Sequence, residues 1–295
     1  MKFSNSYTKA CIATVALSAV MLVISCKKDG NPNKLPPVSP ADYAGKIDGF
    51  SSSDEVFPGN LIAYWPFDDS KNEKLNNVAP TRTANDALVD GGIRGKALSL
   101  NAGYLYFANQ FIKFKTDSLK SWTLSAWVKI KNNGSKRTMV FQLARPGVFN
   151  GNINFILNTN GYPATNDSVL RIQPTFSTVG GGTQDNLNNV LDKTKLNDWV
   201  HIVLTYDFTT GVFNNWMNGV KVGNFPNRGT GNNSFKSYEP SEVLIGANYN
   251  AAGTPVSTDV SFAAMTGQVD EIRFYNKALP DAFIRSLYNL GLVHK

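Results

Sequence analysis

The chain has 295 residues, of which 42% are hydrophobic and 12% aromatic, enough for the packed core of one large domain. Short aromatic and β-branched runs separated by Gly and Asn are typical of many short strands and turns. The formal charge of +7 comes from scattered Lys and Arg without a basic stripe. Composition therefore argues against a nucleic-acid partner.

The N-terminal segment has the pattern of an exported lipoprotein. Lys2 and Lys9 flank the start of an apolar run, residues 10–24, that is shorter than a typical membrane span. The run ends in VISC, where small Ser25 directly precedes Cys26. This box resembles the lipobox of bacterial lipoproteins, which implies cleavage before Cys26 and lipidation of its sulfur. An ordinary signal peptide and a plain membrane anchor are the alternatives.

Cysteine usage agrees with that interpretation. Only Cys11, inside the leader, and Cys26 occur, so the mature chain would have no disulfide, thiol nucleophile or cysteine metal site. We predict that residues 1–25 are a signal peptide and that lipid on Cys26 attaches the protein to the cell envelope. Lys27 stands where an aspartate would indicate inner-membrane retention, so the outer membrane is the predicted location.

Domain organisation follows from a change in composition. Residues 26–58 are rich in Pro, Gly, Ser and charge and lack apolar periodicity, so a flexible tether is predicted. One folded domain is predicted over residues 59–295, because no second linker and no repeat of fixed period follows.

Most of this domain has the pattern of β-strands. Apolar residues alternate with period two, and Asn-Gly pairs at 133–134 and 218–219 predict tight turns. The predicted strand segments are NLIAYWPFDD (60–69), KALSLNAGYLYFAN (96–109), SWTLSAWVKIKNNG (121–134), MVFQLA (139–144), NINFILN (152–158), DWVHIVLTYDFTTG (198–211), VFNNWMNGVKVG (212–223), EVLIGANY (242–249) and GQVDEIRFYN (267–276).

One helix is predicted, at residues 280–291. Pro280 suits the first turn and Gly291 a C-terminal stop. Its apolar stripe consists of Phe283, Leu287 and Leu290. We therefore predict an all-β fold, a two-sheet antiparallel β-sandwich with one short C-terminal helix.

Six segments resemble, in order and spacing, the concanavalin A-like LamG-type (laminin G-like) jelly-roll domain. They are LIAYWPFDDS, GIRGKALSLN, WTLSAWVKI, WVHIVLTYD, NWMNGVKVG and GQVDEIRFYNKALPDAFIRSLYN. The resemblance covers roughly residues 60–130 and 197–290, whereas 131–196 looks specific to this protein. It implies two curved sheets face to face, with a concave side that often binds glycans. Lectins, glucanases and adhesion modules share the fold, so the fold leaves the function open.

Two adjacent acids, Asp270 and Glu271, raise the question of glycoside cleavage. Neighbours on a regular strand point to opposite faces, so we expect that they do not act on one bond. Glucanases of this architecture carry an acid-x-acid-x-x-acid pattern, which the sequence lacks. Acids from two different strands could still stand the required roughly 5–10 Å apart, so a divergent glycoside hydrolase stays as an alternative.

The resemblance also implies a calcium site. In similar sandwiches an early acid and the acid of the last strand share a structural calcium, which would pair Asp68 or Asp69 with Asp270. The alternative is that Asp270 accepts hydrogen bonds from a loop while Glu271 pairs with Arg273 or a neighbouring strand. His201, in the middle of a strand, is predicted to be a strand-face residue rather than a catalyst.

Sugar sites combine an aromatic ring for stacking with amides that bind hydroxyls. Such residues lie in or beside the divergent loops, and one tryptophan precedes a hairpin turn. The glycan-binding candidates are Phe149, Asn150, Asn152, Tyr162, Phe176, Trp216, Tyr238 and Tyr249. Several of these rings would simply cover the ends of the sandwich.

The sequence thus predicts a lipid-anchored module of the cell envelope that binds a glycan or other envelope polymer without catalysis. A protein adhesion or assembly module is the first alternative, and it would use a flat apolar patch. A divergent hydrolase is the second, and its acids would meet in a cleft.

Overall fold

The computed structural model describes residues 39–108, 111–115, 118–131, 137–158, 168–192 and 197–295. The chain divides into two compact units, residues 1–44 and 45–295. In the first, the described residues include the short helix α1 (Pro40–Tyr43). The predicted lipidation site Cys26, the turn at 133–134 and the candidate Tyr162 lie outside the described residues.

The second unit is built from strands, with a helix near its C-terminus. The strands are β1 (Leu61–Trp65), β2 (Arg82–Asp90), β3 (Lys96–Phe107), β4 (Trp122–Ile130), β5 (Arg137–Arg145), β6 (Val148–Asn158), β7 (Val169–Ile172), β8 (Thr175–Ser177), β9 (Thr183–Gln184), β10 (Asn189–Asp192), β11 (Val200–Asp207), β12 (Val212–Met217), β13 (Val220–Phe225), β14 (Glu242–Ile245), β15 (Phe262–Ala263) and β16 (Met265–Tyr275). The helix is α2 (Asp281–Leu292).

The strands form two layers connected through long strands that belong to both. The path runs β10-β7-β6-β5-β14-β3-β16-β4-β11-β12-β13, with β1 on β16 and β2 on β3. The first half of β3 pairs with β16 and its second half with β14. We call β14, β5, β6 and the second half of β3 the front sheet, and β1, β16, β4, β11, β12 and β13 the back sheet. Pairing is antiparallel, except that β15 runs parallel to β5.

The core lies between the two sheets and follows the period-two pattern of the sequence. Leu124, Ala126 and Val128 of β4 are buried in the main core, as the alternation predicts. Residues of the front sheet, such as Leu143 and Ile153, pack in the same cluster. The two-sheet antiparallel sandwich and its C-terminal helix are thereby confirmed.

Helix α2 packs on the outer face of the back sheet. Its residues Leu287 and Leu290 are buried against Val203 and Tyr275, so this part of the predicted stripe is confirmed. Gly291 does not terminate the helix, which continues to Leu292. No helix among the described residues combines the length and hydropathy needed to cross a membrane.

The compact unit begins at Gly45, earlier than the boundary expected from composition. Val56 is buried in the cluster beneath α2, and the rings of Phe50 and Phe57 lie 6.0 and 4.6 Å from that of Phe283. The last part of the predicted tether is therefore folded. Its few aromatic and aliphatic residues are too widely spaced to show periodicity, yet each contacts the helix or the sheet.

Candidate functional site

Asp270 and Glu271 lie at a β-bulge rather than on a regular strand. The register of β16 against β4 shifts between Asp270 and Arg273, and Glu271 has φ 51°. Val269 and Ile272 both belong to the main core, whereas the Glu271 carboxylate bonds Arg273 and the Asp270 carboxyl bonds the turn between β2 and β3. The extra residue sends both carboxyl groups to the same side of the sheet. The expectation that they point to opposite faces is therefore wrong.

Asp270 fastens the turn between β2 and β3. Its Oδ2 accepts hydrogen bonds from the backbone N–H of Ile93 at 2.6 Å and of Arg94 at 3.2 Å, and its Oδ1 from that of Glu271 at 2.9 Å. A side chain at Gly92 would collide, because its Cβ would lie 2.8 Å from Oδ2. Burial, followed by the charge of Glu271, raises the pKa of Asp270 to about 8, against the effect of the three N–H donors.

Glu271 belongs to a buried network of opposite charges. Its Oε1 accepts from the Tyr64 hydroxyl at 2.6 Å, and its Oε2 from Nη2 of Arg273 at 2.5 Å. The same Nη2 donates to Asp54 at 2.8 Å, and Arg94 donates to Asp54 at 2.9 Å. Burial would raise the pKa of Asp54, but the two arginines outweigh it and hold that pKa well below its usual range. Two acids and two arginines thus balance in charge beneath α2.

The sequence left two roles open for the acid pair, a calcium site or structural contacts. The observed contacts match the second, because Asp270 accepts hydrogen bonds from a loop and Glu271 forms an ion pair with Arg273. Asp270 does not fit a calcium ligand in this arrangement, because N–H donors occupy both of its oxygens. Asp68 and Asp69 instead line an open polar depression of about 220 Å³. Asp68 keeps one buried carboxylate oxygen without a hydrogen-bond partner. Across the described ranges, no group of three or more His, Cys, Asp or Glu is arranged to hold a metal.

A serine–histidine pair lies under the same helix. Ser125 Oγ and His201 Nε2 are 2.8 Å apart on neighbouring strands β4 and β11. Burial, with a contribution from Arg273, lowers the pKa of His201 to about 3. The adjoining cavity measures about 10 Å³, which is room for one water at most. The pair can therefore stabilise the layer but cannot admit a substrate.

The glycan-binding candidates do not form one cluster. Four are buried within the fold: Asn152, Phe176, Trp216 and Tyr249. Phe149, Asn150 and Tyr238 are half-buried. Asn152 has a structural role, because its side chain accepts from the backbone N–H of Tyr238 and donates to its carbonyl. Trp216 packs in the cluster beneath α2.

A polar and aromatic group that the sequence analysis missed lies on the outer face of the front sheet. We call it the tyrosine patch, and it consists of Arg82, Tyr104, Tyr106, Glu242 and Tyr249. The hydroxyls of Tyr106, at 2.8 Å, and of Tyr249 both donate to Glu242 Oε2. Arg82 lies over the rings of Tyr104 and Tyr106, 5.5 and 5.3 Å from their centroids. The GYLYF alternation at 103–107 could have indicated it, since Leu105 and Phe107 face the core.

Exposure within the tyrosine patch is uneven. Tyr104 and Tyr249 are buried, whereas Tyr106, Arg82 and Glu242 are half-buried. Burial and the hydrogen bond to Glu242 raise the pKa of Tyr106 to about 12, so its hydroxyl stays protonated. The patch therefore presents a ring, a carboxylate and a guanidinium side by side.

Two packed antiparallel sheets with a terminal helix define a concanavalin A-like β-sandwich. The chain belongs to the concanavalin A-like lectin/glucanases superfamily, because the Laminin_G_3 model of that superfamily matches residues 101–285. The expected resemblance is confirmed. The match also runs through residues 131–196, the stretch that looked specific to this protein. No protein of curated function matches the sequence.

Several solved structures share the fold. One is domain 4 of AbnA, a GH43 extracellular arabinanase from Geobacillus stearothermophilus, in complex with arabinotriose, with 19% identity, TM-score 0.51, and coverage of 78% of this chain and 98% of that one. A Trypanosoma rangeli sialidase has 16% identity and a TM-score of 0.54, and the match covers 94% of this chain and 39% of that one. The binding domain of botulinum neurotoxin DC, in complex with rat synaptotagmin II, has 12% identity and a TM-score of 0.52, and the match covers 78% of this chain and 51% of that one. The chain thus spans about two fifths and half of the latter two, and these likenesses show the fold alone.

Proposed function

We propose that this protein is a non-catalytic carbohydrate-binding module, held at the cell envelope by lipid on Cys26. The observation that carries the proposal is the tyrosine patch on the outer face of the front sheet. Recognition of a sugar needs an apolar ring face and polar groups with fixed directions, and the patch offers both.

The geometry orients each polar group before a ligand arrives. Both phenol hydroxyls donate to Glu242 Oε2, and within the described residues no donor is bonded to Oε1. That second oxygen can accept a hydrogen bond from a sugar hydroxyl. Arg82 is fixed by a hydrogen bond from Nη2 to the carbonyl of Ala252 at 3.2 Å. Its Nε is buried, so the remaining N–H groups on Nη1 and Nη2 are the donors that it can offer to a sugar.

The contacts of the buried acids support binding rather than hydrolysis. Asp270 and Glu271 serve backbone donors and Arg273. Glu73 is also buried, and it accepts from the backbone N–H of Tyr64 and of Leu75. A general acid needs a carboxyl that can reach the glycosidic oxygen, and these three are committed to holding loops and strands.

The attachment part of the proposal comes from sequence. The charged start, the apolar run and the VISC box before Cys26 support lipidation. A lipid anchor would keep the module at the envelope, and the outer membrane is the location that we propose. Mass spectrometry of the membrane fraction would detect the acylated N-terminal peptide, and a Cys26→Ser protein should be released from that fraction.

A glycan array probed with the full-length protein tests the binding function. We expect at least one polysaccharide class to bind. Tyr106→Ala and Glu242→Gln should weaken that binding by at least about tenfold, the effect of losing a stacked ring or a charged hydrogen bond. Tyr43→Ala and Glu55→Gln, exposed positions outside the patch, are the matched controls. Thermal melting checks that each variant is folded.

The outcomes separate the alternatives. A blank array, with and without calcium, would reject glycan binding and favour a protein adhesion module. New reducing ends after incubation with a bound glycan would show a hydrolase instead. Binding that survives both patch substitutions would place the site elsewhere on the molecule.

A further inference from the structure

A second feature of the outer surface is a tyrosine that holds two cations. The guanidinium carbon of Arg145 lies 4.3 Å from the ring centroid of Tyr238, and the ammonium of Lys236 lies 4.7 Å from the same centroid. All three side chains are half-buried. We call Arg145, Lys236 and Tyr238 the cation clamp.

Buried polar groups fix the segment that carries the clamp. The Asn152 amide bonds both the N–H and the carbonyl of Tyr238, at 2.9 and 2.8 Å. The Ser177 hydroxyl donates to the Lys236 carbonyl at 2.5 Å. The Tyr238 hydroxyl donates to the backbone carbonyl of Thr178 at 2.8 Å. Asn152 and Ser177 are themselves buried. The backbone of Lys236 and Tyr238 and the Tyr238 hydroxyl are therefore held in place before any ligand binds, and Arg145 stands at the end of strand β5. This reduces the entropy lost on binding.

The two positive charges lack an anionic partner. Among the described residues, no carboxylate lies within ion-pair distance of Arg145 or Lys236, although both side chains are ordered by the ring. The nearest acids in sequence are Glu239, which is exposed, and Glu242, which binds Tyr106 and Tyr249. The N–H donors of Arg145 and Lys236 remain available to an external acceptor. Charged donors of this kind form the stronger hydrogen bonds to carboxylate or sulfate oxygens.

We propose that the cation clamp binds an acidic group of a polysaccharide, a carboxylate or a sulfate, and so makes the module selective for anionic glycans. The inference rests on the proposed glycan-binding function and names its ligand class. Two cations lie within 5 Å of the Tyr238 ring centroid, whereas a single one lies 5.3 Å from that of Tyr106. We therefore assign the Tyr238 ring to the support of the cations rather than to stacking, which disfavours nucleic-acid bases as the ligand. Tyr238, a candidate for stacking from sequence, acquires a different role.

The test compares three polymers of similar length by affinity titration of the full-length protein. Polygalacturonate supplies carboxylates, dextran sulfate supplies sulfates, and dextran supplies neither. We expect one acidic polymer to bind at least about tenfold more tightly than dextran at low salt, with a preference that shrinks as salt screens the charges. The better acidic polymer identifies carboxylate or sulfate as the group recognised.

Variants assign that preference to the clamp. Arg145→Gln with Lys236→Gln should remove the preference for the acidic polymer and leave any dextran affinity unchanged. Arg228→Gln, at an exposed arginine, and Lys120→Gln, at a lysine 5.7 Å from the ring centroid of Phe208, are matched controls. Tyr238→Phe keeps the ring and should retain the preference. Thermal melting confirms that each protein is folded.

The failures are distinguishable. Binding of dextran and acidic polymers with equal affinity would overturn the anionic selectivity while leaving the proposed function in place. An unchanged preference in the double variant would overturn the role of the clamp. No binding to any polysaccharide, here and on the array, would overturn both proposals.

Discussion

Asp270 on β16 accepts the backbone N–H of Ile93, a residue 177 positions earlier, at 2.6 Å. This contact ties the turn between β2 and β3 to the last strand of the sandwich. It also explains why an acid stands in a fully buried position. The group that the sequence presented as a catalytic or calcium-binding acid is, in the fold, the acceptor that completes a turn.

Asp270 should make stability depend on pH. Its pKa is raised from 3.8 to about 8 in the folded state, so the folded protein binds a proton that the unfolded chain releases between these values. This contribution to the free energy of unfolding is complete below about pH 4 and is lost as pH rises towards 8.

We expect Asp270→Asn to flatten that decline by about 3–4 kcal/mol between pH 5 and pH 8, because a neutral amide has no charge to bury. Urea unfolding at several pH values measures the effect. Asp90→Asn, at the exposed end of β2, should leave the slope unchanged. An identical slope in parent and Asp270→Asn would mean that Asp270 is ionised throughout, as its three N–H donors favour.

Breaking the ion pair between Glu271 and Arg273 should strongly lower the free energy of unfolding. Both side chains are buried and joined at 2.5 Å, so Glu271→Gln leaves an arginine charge without its closest partner. We expect a loss of about 3–5 kcal/mol in the free energy of unfolding. The double variant Glu271→Gln with Arg273→Met should recover part of it.

The surface pair of Lys221 and Asp281, at 3.2 Å, provides the comparison. Lys221→Ala should cost no more than about 1 kcal/mol, because both charges are hydrated. Equal effects at the two pairs in denaturant unfolding would contradict the claim that burial gives the Glu271 pair its importance.

The sequence predicts most of the sandwich because its central strands alternate between core and surface. Leu124, Ala126 and Val128 illustrate this rule. Strand β2 was missed because RTANDALVD lies at an edge, where neither face is fully buried and the alternation is weak. Edge strands take their place from backbone pairing, here with β3, and this leaves little mark on side-chain pattern.

Local features were misjudged where tertiary contact selects the residue. Gly291 looks like a helix terminator, but a Cβ there would lie 2.4 Å from the Trp127 ring, so close packing on the tryptophan requires the glycine. Similarly, the bulge at Glu271 cannot be deduced from adjacent acids alone. Both features arise from strands and a helix that meet only in the folded protein.

Candidate binding residues were the least predictable. Asn152 and Tyr249 have suitable chemistry for sugars, yet both are buried and serve internal hydrogen bonds. Composition identifies residue types but not which of them the fold leaves exposed. Glu242 and Arg82 became candidates only when cross-strand pairing placed them around Tyr106.

Calcium remains a prediction from the family resemblance, and it can be tested by melting. A calcium ion bound at Asp68 and Asp69 would raise the melting temperature and EDTA would lower it, since a ligand that binds only the folded state adds about 2.7 kcal/mol at 100 times its Kd. Asp68→Asn and Asp69→Asn should remove the response, because these residues line the polar depression.

Asp270→Asn should keep the calcium response, since N–H donors occupy both oxygens of Asp270. A response lost in that variant alone would mean that calcium rearranges the turn at 91–95. Identical melting temperatures in calcium and in EDTA would reject the predicted structural calcium site.

His201 should contribute a pH dependence of the opposite sign. Burial lowers its pKa from 6.5 to about 3, so the unfolded chain takes up a proton in this range before the folded protein does. Its stabilising contribution is complete above about pH 6.5 and is lost as pH falls towards 3. Between pH 4 and 6.5 it opposes the contribution of Asp270, so the free energy of unfolding of the parent protein should change little with pH there.

We expect His201→Gln to remove the loss of stability that His201 causes as pH falls from 6.5 towards 3. Nitrogen NMR should find the His201 ring neutral at pH 5. A charged ring at pH 5 would contradict the lowered pKa of His201.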